Sequence, residues 1–232
     1  MRVFERLQTR ARPHANSRRI SISAMYQSVF DFAREDRGLD GPFARCFGLC
    51  VSEASCCPPP PLAAKYSVPV QPSPTGLVNT QFVVGITSRL FDEQVWFNEA
   101  RKIKPQTFTQ EGRIVDPTDN GARCDFCRWE ELTAADPFGR VERRFAVAGS
   151  NLFKYGEQHG LVLFRHHDPL QFSREQLADL LRASHEWLRR AAAASPSCRH
   201  PLFLWNCLPR SGASQFHGHA QAGRGTATAP CC

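Results

Sequence analysis

Over residues 124–221 apolar and polar positions alternate in short runs. Residues 140–148 read as a strand closed by a Gly149-Ser150-Asn151 turn, and residues 160–164 as a second, short apolar strand. The period then lengthens. Ser173 and Gln176 form a capping box, and Leu177, Leu180, Leu181, Leu188 and Ala191 fall on one face of a helix that Ser195-Pro196 stops. Residues 202–205 are again a strand, 209–214 a turn, and 216–221 extended. The order strand, strand, helix, strand, strand predicts an α+β sheet with one crossover helix.

The first part of the chain is less regular. Residues 80–86 alternate and are rich in β-branched side chains, which predicts a strand. Residues 51–75 contain Pro58-Pro59-Pro60-Pro61 and then Pro69, Pro72 and Pro74, so an extended linker or surface loop is expected there. Residues 98–122 are polar, with Pro105, Pro117 and Asn120-Gly121, and read as loop. After Gln221 neither periodicity nor an apolar run remains. The expected organisation is a basic, then Pro-rich N-terminal extension over 1–75, largely disordered, a folded domain over 76–222 and an unstructured tail over 223–232.

Composition narrows the class. Of 232 residues 42% are hydrophobic, and 17 Phe and 4 Trp are too many for a chain that buries nothing. No stretch approaches the ~18 apolar residues of a membrane span. A formal charge of +7 favours an anionic partner such as a phosphate ester. A nucleic-acid partner is not called for, because no recognised motif is present and the arginines cluster at the N-terminus. Residues 1–24 are rich in Arg and Ser with Glu5 as the single acid. Two expectations stand side by side: a disordered basic tail on a cytoplasmic protein, or a plastid or mitochondrial transit peptide. The ten cysteines share no repeated interval and follow no secretory signal, so most are read as reduced thiols. Cys124-Asp125-Phe126-Cys127 is the metal candidate, alongside a redox pair or two core thiols; a metal needs two further ligands.

The sharpest chemistry lies in Trp205-Asn206-Cys207-Leu208-Pro209-Arg210-Ser211-Gly212-Ala213-Ser214-Gln215-Phe216-His217-Gly218-His219-Ala220-Gln221. On an extended strand His217, His219 and Gln221 share one face, with small Gly218 and Ala220 on the other. The glycine-bearing turn before it can bring N–H groups to a phosphate. The bland alternative is a solvated edge strand with incidental histidines.

This segment resembles the histidine-triad superfamily and, within it, the galactose-1-phosphate uridylyltransferase-like branch. Hydrolases of the superfamily carry a third His where this chain has Gln221, whereas the transferase branch carries Gln. The resemblance implies an antiparallel sheet with a crossover helix, corresponding to one half of the two-half transferase fold. It implies that His219 attacks the α-phosphate of a nucleotide sugar, that Gln221 donates to the phosphate, and that Asn206, Gly212 and Ser214 hold phosphate oxygens or shape the turn. Asn151, in Asn151-Leu152-Phe153, would contact the nucleotide or simply form a turn, and Phe97-Asn98-Glu99-Ala100-Arg101-Lys102 is similar to an Arg-bearing segment of the family. It also implies a structural zinc held by Cys124, Cys127, His217 and His167, with His166 as the rival of His167.

The function so implied is transfer of a nucleoside monophosphate between a nucleotide sugar and a sugar 1-phosphate through a nucleotidyl-histidine. Two alternatives stay open: a phosphorylase or adenylyltransferase of the same superfamily, and a truncated, catalytically silent zinc-binding domain. Family members typically have two related halves, and this sequence spans one. A homodimer would complete the site, or the chain is a fragment.

Overall fold

The computed structural model describes residues 28–35, 41–91, 93–104, 116–208 and 211–225. The Arg-rich start, residues 105–115 of the polar loop, and the tail beyond 225 lie outside them. The architecture is α+β with two antiparallel sheets. Helices α1 (Val29–Glu35) and α2 (Gly41–Cys46) precede strand β1 (Phe47–Cys56), followed by helix α3 (Pro60–Tyr66) and strands β2 (Gln71–Ser73), β3 (Gly76–Ser88) and β4 (Gln94–Asn98). These strands make the first sheet, in which β3 pairs with β1, β2 and β4. A short helix α4 (Trp129–Leu132) leads to β5 (Val141–Glu142), β6 (Ala146–Ser150), β7 (Gln158–Phe164), helix α5 (Arg174–Ala194), β8 (His200–Leu204) and β9 (His219–Gly225). The second sheet runs β5-β6-β7-β9-β8.

Side-chain alternation gives this second sheet two different faces. Ala146, Ala148, Val162, Phe164, Ala220 and Ala222 meet Leu180, Ala183, Trp187 and Ala191 of α5 in one buried core. The small alanines of β6 and β9 let the helix lie close, and Trp187 fills the space left over. The opposite face carries Val147, Leu161 and Leu163 against Phe126 and Trp129, and on β9 it carries His219 and Gln221. The crossover helix therefore shields one face and leaves the other, with His219 and Gln221, uncovered by it.

The helix starts where its capping box was expected: Ser173 Oγ accepts from the Gln176 N–H and Gln176 Oε1 accepts from the Ser173 N–H. Its buried stripe is rotated from the expected one. Leu181 is 47% exposed, while Trp187 and Ala183 are fully covered, because the stripe follows 180, 183, 184, 187 and 191 and Leu181 lies one position round from it. The single strand expected over 140–148 is two strands. Asp179 of α5 breaks it by accepting from the Phe145 N–H (2.9 Å) and from Arg143 Nε (2.6 Å).

Several expectations are corrected by the structure. Residues 51–75 are not a linker: β1 pairs with β3 along its length, and α3 and β2 follow. Prolines fit here because Pro60 and Pro61 open a helix, where no N–H is needed, and Pro72 sits on a three-residue strand paired on one side. The extension expected over 1–75 is thus part of the fold from Val29 onward, since Phe30 and Ala33 of α1 are buried with Val84 of β3. The tail expected from 223 starts later, since Gly223 pairs with both His159 and Leu202; an inner strand needs only its backbone groups to pair. The strand expected over 80–86 is longer, and the loop expected from 98 begins with a 3-10 turn, Glu99–Ile103, capped by Asn98 Oδ1.

The two sheets are stitched by amides. Gln81 Nε2 donates to the Leu152 carbonyl and Asn98 Nδ2 to the Lys154 carbonyl, while Cys57 and Ala135 exchange backbone bonds at 2.8 and 2.9 Å. No helix among the described residues is long and apolar enough to cross a membrane.

Gly160 tests the sheet–helix contact. A Cβ there would lie 2.5 Å from the Trp187 ring. Gly160→Ala is expected to destabilise the fold by about 1–3 kcal/mol through overpacking, read as a lower urea midpoint; an unchanged midpoint would contradict this packing.

Candidate active site and metal centre

Residues 116–127 fold back over the start of β9 and the end of β7. Asp119, Asn120 and Gly121 all have positive φ. Gly121 is also bare by necessity, since a Cβ would lie 3.1 Å from Cys127 Sγ and 3.2 Å from the His167 ring. This turn gathers Cys124, Cys127, His167 and His217, whose donor atoms lie within 4.8 Å of one another.

The hydrogen bonds around the two imidazoles aim their lone pairs inward. His217 Nε2 is 2.7 Å from the Phe164 carbonyl, which can only accept, so Nδ1 is the free acceptor; it stands 3.6 and 3.5 Å from Cys124 and Cys127 Sγ. His167 Nε2 is 3.0 Å from Asp116 Oδ2, which turns its Nδ1 to Cys127 Sγ at 3.4 Å. Thr118 holds Asp116 through its N–H and its hydroxyl. Two ligands of a tetrahedral ion, at about 2.3 Å to sulfur and about 2.0–2.1 Å to nitrogen, stand about 3.6 Å apart. The observed S···N distances match that edge.

Burial pushes the Cys124 thiol up to about 12 and raises Cys127 too, so a cation among the four is what lets both sulfurs ionise. Burial also takes His217 down to about 4, leaving it neutral. The residues fit a metal ion with four protein ligands and no open position. His166 is outside the cluster: it packs on Phe164, and its buried Nε2 has no partner.

The same strand start presents His219. Its Nδ1 is 2.7 Å from the His217 carbonyl. A carbonyl cannot donate, so Nδ1 carries the proton and Nε2 keeps the lone pair. Burial lowers the pKa of His219, and the ring is neutral near pH 7. Phe126, inside the Cys-x-x-Cys turn, packs edge-on against both His217 and His219 with ring centroids 5.8 and 5.2 Å away.

His219 lines a pocket. Its lining combines polar and charged groups, Ser214, Gln215, Gln221, Arg101 and Lys104, with the apolar or aromatic Leu62, Tyr66, Leu132, Leu152 and Phe153. Lys104 is held below its usual range by burial and by Arg101 beside it. Among the described residues neither cation has an ion-pair partner, although Arg101 Nη1 donates to the Phe153 carbonyl at 3.4 Å. Arg101 stacks on the Tyr155 ring at 4.1 Å, and Tyr155 stacks on His159 at 4.9 Å.

Of the residues singled out in the sequence, Ser214, Asn151, His219 and Gln221 line the pocket. Asn206 and Gly212 do not. Asn206 lies against Gly212, whose φ is +95°, so the pair shapes the turn. Asn151 uses its Oδ1 for a local turn, accepting from the Phe153 N–H. Sequence reasoning assigned no role to Phe126, Tyr66, Lys104, Tyr155 or His159, although Tyr155 and His159 lie in segments similar to the histidine-triad superfamily. His159 was findable, because on β7 it shares the odd-numbered face with Leu161 and Leu163. Tyr66 was not, since α3 lay in the segment taken for a linker. That helix also braces the Cys-x-x-Cys turn: Lys65 Nζ and Tyr66 Oη donate to the Asp125 carboxylate at 2.5 and 2.7 Å.

No family model matches the sequence, and comparison with curated proteins gives no match. Solved structures share partial likeness. A hypothetical protein from Leishmania major is 22% identical, with a TM-score of 0.39 over 47% of this chain and 77% of its own. A Streptococcus mutans UA159 protein is 21% identical, with a TM-score of 0.39 over 53% of this chain and 76% of its own. A HIT family hydrolase from Clostridium thermocellum is 17% identical, with a TM-score of 0.36 over 46% of this chain and 94% of its own.

Asp116 fixes His167 from behind, so Asp116→Ala is expected to weaken metal binding about 10–100-fold. Chelator competition with zinc and with cobalt(II) measures this; affinity equal to the wild type would remove Asp116 from the centre.

Proposed function

We propose that the chain is a nucleotidyltransferase of the histidine-triad superfamily that passes a nucleoside monophosphate from a nucleotide sugar to a sugar 1-phosphate. The observation that carries this reading is the neutral His219 ring, tautomer-fixed by the His217 carbonyl, in a pocket with Gln221, Ser214 and two unpaired cations. The antiparallel sheet with its crossover helix agrees with it, as does the motif from Asn206 to Gln221.

In the first step His219 Nε2 attacks the α-phosphorus. An N–P bond forms, the bond from phosphorus to the bridging oxygen breaks, and the sugar 1-phosphate departs with that electron pair. The imidazole gains positive charge, which the His217 carbonyl stabilises through Nδ1–H. Gln221 and Ser214 donate to the nonbridging oxygens, and Arg101 and Lys104 offset the charge on the leaving phosphate. In the second step the phosphate oxygen of another sugar 1-phosphate attacks the same phosphorus and returns the electron pair to Nε2. The apolar and aromatic residues of the lining are suited to a nucleobase.

The metal we assign to Cys124, Cys127, His167 and His217 is zinc, because two thiolates and two imidazoles at tetrahedral spacing are its usual donor set. With four protein ligands its role is structural, tying the turn that carries Phe126 to the strand that carries His219.

Incubation with α-³²P-labelled UDP-glucose, ADP-glucose and GDP-mannose tests the chemistry. An acid-labile, base-stable protein label is expected, absent in His219→Ala. Chase by a sugar 1-phosphate supports the transferase, whereas chase by inorganic phosphate alone would make it a phosphorylase. No label with any of the three would overturn the proposal. Gln221→His should raise hydrolysis of the labelled nucleotide sugar, since an imidazole can assist water where a carboxamide cannot; unchanged hydrolysis would count against that role for Gln221.

A further inference from the structure

His159 has no part in the steps above, yet it is buried against Gln221, a residue of the pocket lining, and its ring meets fixed groups on both nitrogens. The Tyr155 backbone N–H donates to Nδ1 at 3.1 Å, and Nε2 lies 2.8 Å from Gln221 Oε1. A backbone N–H cannot be turned into an acceptor, so Nδ1 must hold the lone pair. The proton of the neutral ring is then on Nε2, which donates to the Gln221 oxygen. The nearby Asn151 Nδ2, 3.3 Å from Nε2, belongs to an amide whose oxygen already accepts from the Phe153 N–H; an NH2 group cannot take the Nε2 proton, which leaves Gln221 Oε1 as its acceptor. Burial takes the His159 pKa down to about 3, so the ring stays neutral near pH 7. Tyr155 closes one ring face by stacking, and Arg101 covers the far side of Tyr155.

We propose that His159 is a positioning residue that fixes the Gln221 carboxamide with its NH2 group toward the pocket, so that the subsite beside His219 takes a hydrogen-bond acceptor, above all an anionic phosphoryl oxygen, rather than a donor-only group such as an ammonium. A free glutamine turns either end to a ligand. Here the oxygen is occupied, and the amide is left as a permanent donor before any substrate arrives. What the amide meets rests on the role given to His219; how the amide is held does not.

Two measurements separate those parts. In the full-length, zinc-loaded protein with ¹⁵N-labelled histidine, the His159 signals, assigned by their loss in His159→Phe, should show a protonated Nε2 and an unprotonated Nδ1. The opposite tautomer, or a charged ring, near neutral pH would overturn the proposal with or without activity. In the labelling reaction with UDP-glucose, ADP-glucose or GDP-mannose, His159→Phe keeps a ring against Tyr155 but loses the donor. It should slow formation of the His219 label at least 10-fold at saturating nucleotide while changing the half-saturating concentration less than threefold. His159→Gln, which retains an N–H, should recover at least half of the lost rate. Equal loss in both variants, or no loss in either, would overturn the proposal. If the wild type takes no label, the role of His219 fails and the tautomer alone decides that of His159.

Discussion

His217 faces two ways, and the site depends on both. Its ring is pinned to the Phe164 carbonyl at 2.7 Å and offers the other nitrogen to Cys124 and Cys127. Its own carbonyl, 2.7 Å from His219 Nδ1, decides which nitrogen of His219 is free. One residue thus joins the Cys/His cluster to the ring of His219. The connection needs Gly218 between them, where a Cβ would lie 2.9 Å from the Phe164 ring. It also needs the switch of β9 from an irregular lead-in to a paired strand at His219.

Around that point the fold divides labour by sheet face. The α5 side is sealed by Trp187 and small alanines, so the strands cannot slip by one residue without exchanging core for chemistry. The other side is walled by pieces from far apart in sequence: α3, the 3-10 turn after β4, the Cys-x-x-Cys turn and the residues after β6. Buried amides hold these pieces, with Gln81 and Asn98 serving main-chain carbonyls at Leu152 and Lys154. Beneath the pocket the fully buried Lys154 and Asp136 lie 3.7 Å apart, and Trp187 Nε1 donates to the same carboxylate at 2.6 Å. The sealed face and the pocket face therefore share one polar tie.

What the sequence made legible followed from local rules. The Ser173–Gln176 box, the strand alternation and the spacing of His217, His219 and Gln221 depend on nearest neighbours in the chain. The gathering of Cys124, Cys127 and His167 around His217 was accessible only through resemblance, because spacing alone does not say which distant imidazole closes a Cys-x-x-Cys. The prolines of residues 51–75 do not mark a linker, because at a helix start and on a short edge they cost nothing. The wall residues Tyr66, Lys104 and Tyr155 were hidden for a different reason. Nothing local marks them, and only the packing of the first sheet against the second brings them to the pocket.

The central claim is that the His217 carbonyl leaves Nε2 of His219 as the atom that takes phosphorus. Correlated ³¹P–¹⁵N NMR of the protein after reaction with a nucleotide sugar reads this atom directly. The account predicts a single phosphoramidate in which phosphorus couples to Nε2 of His219 while Nδ1 remains protonated. Phosphorus bonded to Nδ1 of His219, or to any other residue, would contradict it.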